Sequence, residues 1–180
     1  GIRPPIYARH FTIIFDNSPV ILPATPLPGS LAITAGGVTA ESTAITATGV
    51  LTVAGTSTFT VDTVQQADVL LDIEPNDLAG AVTITTINGG TIRDVGLRNI
   101  NPSANLVGVP TILRNLTIIF DNAGVNLPLT TLTGNLAVYA GGGPITQSDV
   151  LTVAGTSFLA ANANSITLTN VNNDFGGTVS

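Results

Sequence analysis

Few side chains in this sequence are equipped for chemistry, and their spacing decides what they can do. His10 is the one histidine, and cysteine is absent. A lone imidazole lacks the further ligands zinc needs and the partner that would make it a general base. His10 is therefore read as an exposed or hydrogen-bonded structural residue. Asp16-Asn17 and Asp121-Asn122 carry carboxylates of the kind glycosidases pair at roughly 5–10 Å. They stand a whole long repeat apart in the chain, about five stacked coils or ~24 Å. Asp and Asn are also ordinary turn formers, and Asp77 and Asp174 are read the same way.

Asp72, Glu74 and Asp77 form an acidic cluster. Calcium needs several oxygen ligands at close spacing, and no G-G-x-G-x-D nonapeptide is present. A calcium roll is thereby excluded, a weak surface calcium site is the minor reading of this cluster, and it is assigned no metal. Arg93, Asp94 and Arg98 are read as surface ion pairs. Asn115-Leu116-Thr117 fits a glycosylation sequon but directly precedes a predicted strand. Tyr7 and Tyr139 are isolated and make no stacking platform. Gly36-Gly37 and Gly141 to Gly143 follow strands with no helix after them, so they are turns and not phosphate loops. No catalytic, cofactor-binding or metal-ligating residue is assigned, no cofactor is expected, and the chain is read as a non-enzyme.

Composition narrows the classes further. Of 180 residues, 44% are hydrophobic and 9% charged, with a net charge of -6. A disordered chain is richer in charge and poorer in Val, Ile and Leu. The 27 threonines join Val and Ile in favouring pleated surface, while Gly, Asn and Pro favour turns. The absence of cysteine removes disulfides and thiol chemistry. The absence of lysine removes Schiff-base chemistry and Lys–Asn cross-links. Negative charge with five arginines argues against nucleic acid or an anionic membrane as partner. The apolar runs are too short to span a bilayer, so no membrane insertion is expected. No leader is visible at Gly1, which places the numbering inside a mature or internal region.

The elements that would position these residues follow from periodicity. Phe11, Leu31, Leu51 and Leu71 form one apolar column at a spacing of 20, and Ile13, Ile33, Val53 and Ile73 form another. Thr12, Ala32, Thr52 and Asp72 lie between them and lean polar. Alternation within each stretch is that of a strand with one buried face. The spacing predicts a solenoid of ~20-residue coils, about nine in all. Strands are expected at 11–15, 31–35, 50–54, 57–61, 68–73, 80–87 and 91–98. In the second half they are expected at 116–120, 135–139, 150–154, 165–169 and 177–180. Residues 99–113 are expected to be a long loop, and the extra residues between Gly37 and Val50 a corner loop. No helical periodicity is sustained.

A longer repeat lies over the short one. FTIIFDN at 11–17 returns as LTIIFDN at 116–122, and LAITAGG at 31–37 as LAVYAGG at 136–142. LTVAGTS at 51–57 returns unchanged at 151–157, and NDLAGAVT at 76–83 as NDFGGTVS at 173–180. The first unit is taken as 1–105 and a truncated second unit as 106–180, continuous with it. The stop inside a repeat leads us to expect a piece of a longer array.

These blocks resemble the repeats of filamentous-haemagglutinin-like adhesins and related giant bacterial surface proteins. GNLAVYAGGGPITQ, LTVAGT and NDFGGTV stand in the same order as in those repeats. The likeness covers nearly all of 106–180, and covers 11–83 less cleanly because VTAESTAITATG replaces the GPITQSD stretch. The resemblance implies a right-handed parallel β-helix, secretion to the bacterial cell surface, and a role in adhesion or in building a fibre. Its implied partners are further copies of the repeat and a host or surface glycan.

The expected fold is thus an all-β right-handed parallel β-helix, with tandem immunoglobulin-like sandwiches as the alternative. The expected function is a non-enzymatic rod segment of a large extracellular repeat protein. A subunit polymerising end to end into a filament is one alternative. A polysaccharide-degrading β-helix is the other, disfavoured by five scattered arginines and no lysine.

Overall fold

A computed structural model describes residues 9–36, 39, 41–64 and 66–180. These form 21 strands and no helix. In chain order the first coils hold β1 (Phe11–Phe15), β2 (Val20–Leu22), β3 (Thr25–Leu27), β4 (Leu31–Gly36), β5 (Ser42–Ala47) and β6 (Leu51–Val53). Next come β7 (Ser57–Asp62), β8 (Gln66–Leu78), β9 (Ala81–Thr86), β10 (Thr91–Asn99) and β11 (Asn105–Gly108). Shorter elements follow: β12 (Ile112–Leu113), β13 (Asn115–Phe120), β14 (Val125–Leu127), β15 (Thr130–Leu132) and β16 (Leu136–Ala140). The last are β17 (Ile145–Gln147), β18 (Leu151–Val153), β19 (Ser157–Ala160), β20 (Ile166–Thr167) and β21 (Asp174–Phe175).

Every strand ladder is parallel. The chain is a right-handed parallel β-helix of about seven turns. Immunoglobulin-like sandwiches are built from antiparallel sheets, so that alternative is excluded. One sheet runs β1-β4-β7-β9-β11, and a second runs β2-β5-β8-β10-β13-β16-β19, with β3 and β6 joined to it through β8. Two smaller sheets, β12-β15-β18-β21 and β14-β17-β20, close the second half.

The coil length is not uniform, and this corrects the 20-residue columns. Val20, Ile45, Val69, Val95, Leu116, Leu136 and Ser157 stack in one register column. All seven are buried. Their spacings are 25, 24 and 26 residues, then 21, 20 and 21. Phe11 does lie under Leu31, but Leu31 pairs with Ser57 and Leu51 pairs with Thr25. Leu31 and Leu51 are both buried, in separate sheets. Leu71 stacks on Leu97, and Ile73 is 73% exposed. Each face of the helix has its own apolar triplets, so equal spacing aligned strands from different faces.

The strand set also differs. β2, β3, β14 and β15 are three residues long, too short for alternation to register. The stretch expected to be a corner loop contains β5, and the stretch 99–113 contains β11 and β12. Residues 177–180 contribute one bridge, Ser157 to Val179, rather than a strand. Pro26 is tolerated in β3 because that strand lies at the edge of its ladder.

The two repeat units do not sit on the same faces. β1, β4 and β7 of the first unit belong to the five-stranded sheet. Their sequence equivalents β13, β16 and β19 belong to the sheet that begins with β2. The second unit thus enters the helix one sheet further round.

Candidate functional site

Side-chain chemistry concentrates at the corner where strands enter the long sheet. There each side chain accepts the backbone N–H of the next coil. Asp68 Oδ1 accepts from Asp94 N at 3.2 Å, and Asp94 Oδ1 from Asn115 N at 3.2 Å. Asn115 Oδ1 accepts from Asn135 N at 2.8 Å, and Asn135 Oδ1 from Thr156 N at 2.9 Å. The corner where strands enter the five-stranded sheet repeats the device with other residues. His10 Nδ1 accepts from Ser30 N at 3.1 Å and Ser30 Oγ from Thr56 N at 3.2 Å. His10 thus stands where Asn115 stands in the second unit, as an exposed structural acceptor. The amide of the Asn115 sequon is engaged on both sides, since its Nδ2 donates to Asp94 Oδ1.

Charges are woven into this ladder. Arg93 donates from Nε and Nη2 to the two oxygens of Asp68, at 2.9 and 2.6 Å. The Arg93 side chain is 12% exposed, so this pair is largely buried and not the surface pair expected. Arg93 Nη2 also donates to Glu41 O at 3.1 Å, and Nη1 lies 3.5 Å from Glu41 Oε2. Arg114 binds Asp94 through Nε and Nη2, a two-pronged geometry only arginine provides. Burial pushes the Asp94 carboxyl up, but the Arg114 hydrogen bond and charge, the Asn115 N–H and Arg93 outweigh it and hold it below the usual range. The Asp68 hydrogen bond raises Arg93 against the opposing effect of burial. Arg98 pairs with Asp121 on the following coil, at 2.9 Å.

A second set of residues escaped sequence reading. Asn76 and Asn99 are fully buried. Asn76 Oδ1 accepts from Leu51 N and its Nδ2 donates to Leu71 O, both at 2.9 Å. Asn99 Oδ1 accepts from Leu78 N at 3.0 Å. Asn173 accepts from Leu151 N and donates to Leu168 O. The signal was the recurring NDL and NDF block, in which the asparagine, not the aspartate, is the bracket. Thr25 and Thr130 are a further matched pair, each donating to the carbonyl of the proline two residues before it.

The remaining candidates are dispersed. Asp16 follows β1 and Asp121 follows β13, in different sheets, so they form no carboxylate pair. Asp72 lies over Gly96 on the outer face of the long sheet, while Asp77 accepts from Asn101 at 2.6 Å. Among the described residues no group of three or more His, Asp and Glu side chains is placed to hold a metal. Tyr139 Oη accepts from Asn162, and Tyr7 lies outside the described residues. A cleft of about 600 Å³ opens beside the charged corner, lined in part by Glu41, Arg93 and Arg114.

This geometry recurs along the chain in two blocks, and residues 8–85 and 113–180 match the family described as Repeats of unknown function (DUF5649). The chain belongs to this family. No curated protein and no solved structure matches it. The family's two matched blocks contain the equivalent acceptors His10, Ser30 and Asn76 in one and Asn115, Asn135 and Asn173 in the other.

Proposed function

We propose that the chain is a non-enzymatic rod segment of a large, secreted bacterial surface protein, structural or adhesive in role. One observation carries this reading: the column from Val20 to Ser157 passes through both repeat units without a break. Units that share one core and one set of ladders extend as a single body, since each coil contacts only its neighbours. The resemblance to filamentous-haemagglutinin-like repeats supports the surface location and the adhesive role.

Negative-stain imaging and sedimentation over a concentration series test the rod. Discrete short rods at every concentration are expected. Fibres that lengthen with concentration would instead favour a subunit that polymerises end to end. No release of reducing sugar from acidic polysaccharides is expected, and release would make the chain a polysaccharide-degrading enzyme. Antibody labelling of intact source cells tests the location.

A further inference from the structure

The cleft beside the charged corner has a direction. Glu41 N–H donates to Gln66 O on the next coil, and Gln66 pairs with Thr91. Arg114 N–H donates to Arg93 O, and Thr133 N–H to Leu113 O. The lining residues Glu41, Gln66, Thr91, Ile112 and Thr133 therefore belong to successive coils. Four steps of ~4.8 Å spread these residues over about 19 Å along the helix axis.

Coil length changes beside the cleft. The turn before Thr91 includes Asn88 and Gly89, both at positive φ, and belongs to the 26-residue coil from Val69 to Val95. The coil carrying Ile112 is shorter, at 21 residues from Val95 to Leu116. β12 ladders with β15 and not with β10.

Its chemistry is mixed and nearly neutral. The buried Arg93–Asp68 pair cancels internally, and Arg114 is matched by Asp94. The Glu41 carboxylate is 74% exposed. Gln66, Thr91 and Thr133 offer amide and hydroxyl groups that both donate and accept. Ile112, 68% exposed, supplies an apolar surface. Glu41 itself is held at φ 62, a left-handed conformation that costs a glutamate about 1 kcal/mol or more. Arg93 clamps its carbonyl and faces its carboxylate. A strained, exposed glutamate at the rim of a cleft motivates a functional hypothesis for that cleft.

We propose that this cleft binds a neutral, linear oligosaccharide lying along the helix axis. The inference deepens the adhesive half of the function proposed above. A sugar chain has alternating hydroxyl edges and apolar ring faces, which suit the hydroxyl-and-amide wall and Ile112. An extended peptide gains its affinity by adding to a sheet edge. Here the strands run across the cleft, so a ligand along the axis crosses ladders and extends none. An acidic sugar meets the exposed Glu41 carboxylate.

Amide NMR titration of the whole chain with cellohexaose, maltohexaose and chitohexaose tests this, with hexagalacturonate for comparison. Saturable shifts centred on Gln66, Thr91, Ile112 and Thr133 are expected with at least one neutral hexamer. Glu41→Gly removes the carboxylate and keeps the left-handed backbone without strain. It is expected to weaken binding about tenfold with the thermal midpoint unchanged or raised. The proposal is overturned by absence of cleft shifts with all three neutral hexamers, by tighter binding of hexagalacturonate, or by unchanged affinity in Glu41→Gly. None of these results bears on the rod, which the imaging series tests separately.

Discussion

Asn76 and Asn173 do the same work in the two repeats: each accepts the backbone N–H of the leucine that opens an LTV strand one coil earlier, Leu51 and Leu151. The bracket ties a corner to the strand below it, where an unpaired N–H would be costly.

Removing it is expected to destabilise, and unequally. Asn76→Ala removes the acceptor of the buried Leu51 N–H and the donor to Leu71 O and Arg98 O, and the unpaired N–H alone costs about 1–3 kcal/mol. Asn173 is half-buried, so water replaces part of what Asn173→Ala removes and the loss is smaller. Urea denaturation of the two variants measures the difference.

Ser57 and Ser157 lie at equivalent places and interrupt apolar columns. Each has a buried hydroxyl with no hydrogen-bond partner. Ser57→Ala and Ser157→Ala relieve that unpaired group while leaving little cavity. The expected result is unchanged stability or a gain of up to about 1 kcal/mol. A clear loss in the denaturation midpoint of either variant would mean the hydroxyl is satisfied.

Among the described residues, Arg93 is the cation that contacts the buried carboxylate of Asp68. Arg93→Met leaves that charge without its partner, and a clear loss of stability is expected. The double variant Arg93→Met, Asp68→Leu is expected to recover much of the loss, although the Asp94 N–H then lacks its acceptor. A double-variant cycle read by urea denaturation checks both statements.

Acid should weaken the corner through Asp94. Its folded carboxyl is held below the usual range, so its contribution is complete above the unfolded value of about 3.9. That contribution is lost as pH falls below that value through the folded one. Asp94→Asn keeps an acceptor for the Asn115 N–H, as Asn115 and Asn135 do on later coils, but releases Arg114. The variant is expected to lose less stability between about pH 4 and pH 2 than the parent, and under about 1 kcal/mol near neutrality, because Arg114 is half exposed. Thermal midpoints over a pH series read this directly.

The sequence by itself determined that the chain is β-structure, that it winds as a solenoid, and that its blocks recur. Alternation in LAITA and LAVYA names the inward side chains, because successive residues of any strand point to opposite faces. The tertiary structure alone decided which strand lies beneath which. Leu31 rests under Ser57 rather than Leu51 because the coil between them absorbs β5 and its corners, and alternation does not count residues in corners. The same holds for the ladder from Asp68 to Thr156 and for the Arg93–Asp68 pair. Their members are 20 to 26 residues apart, and they meet only because coils of two different lengths share one stacking axis.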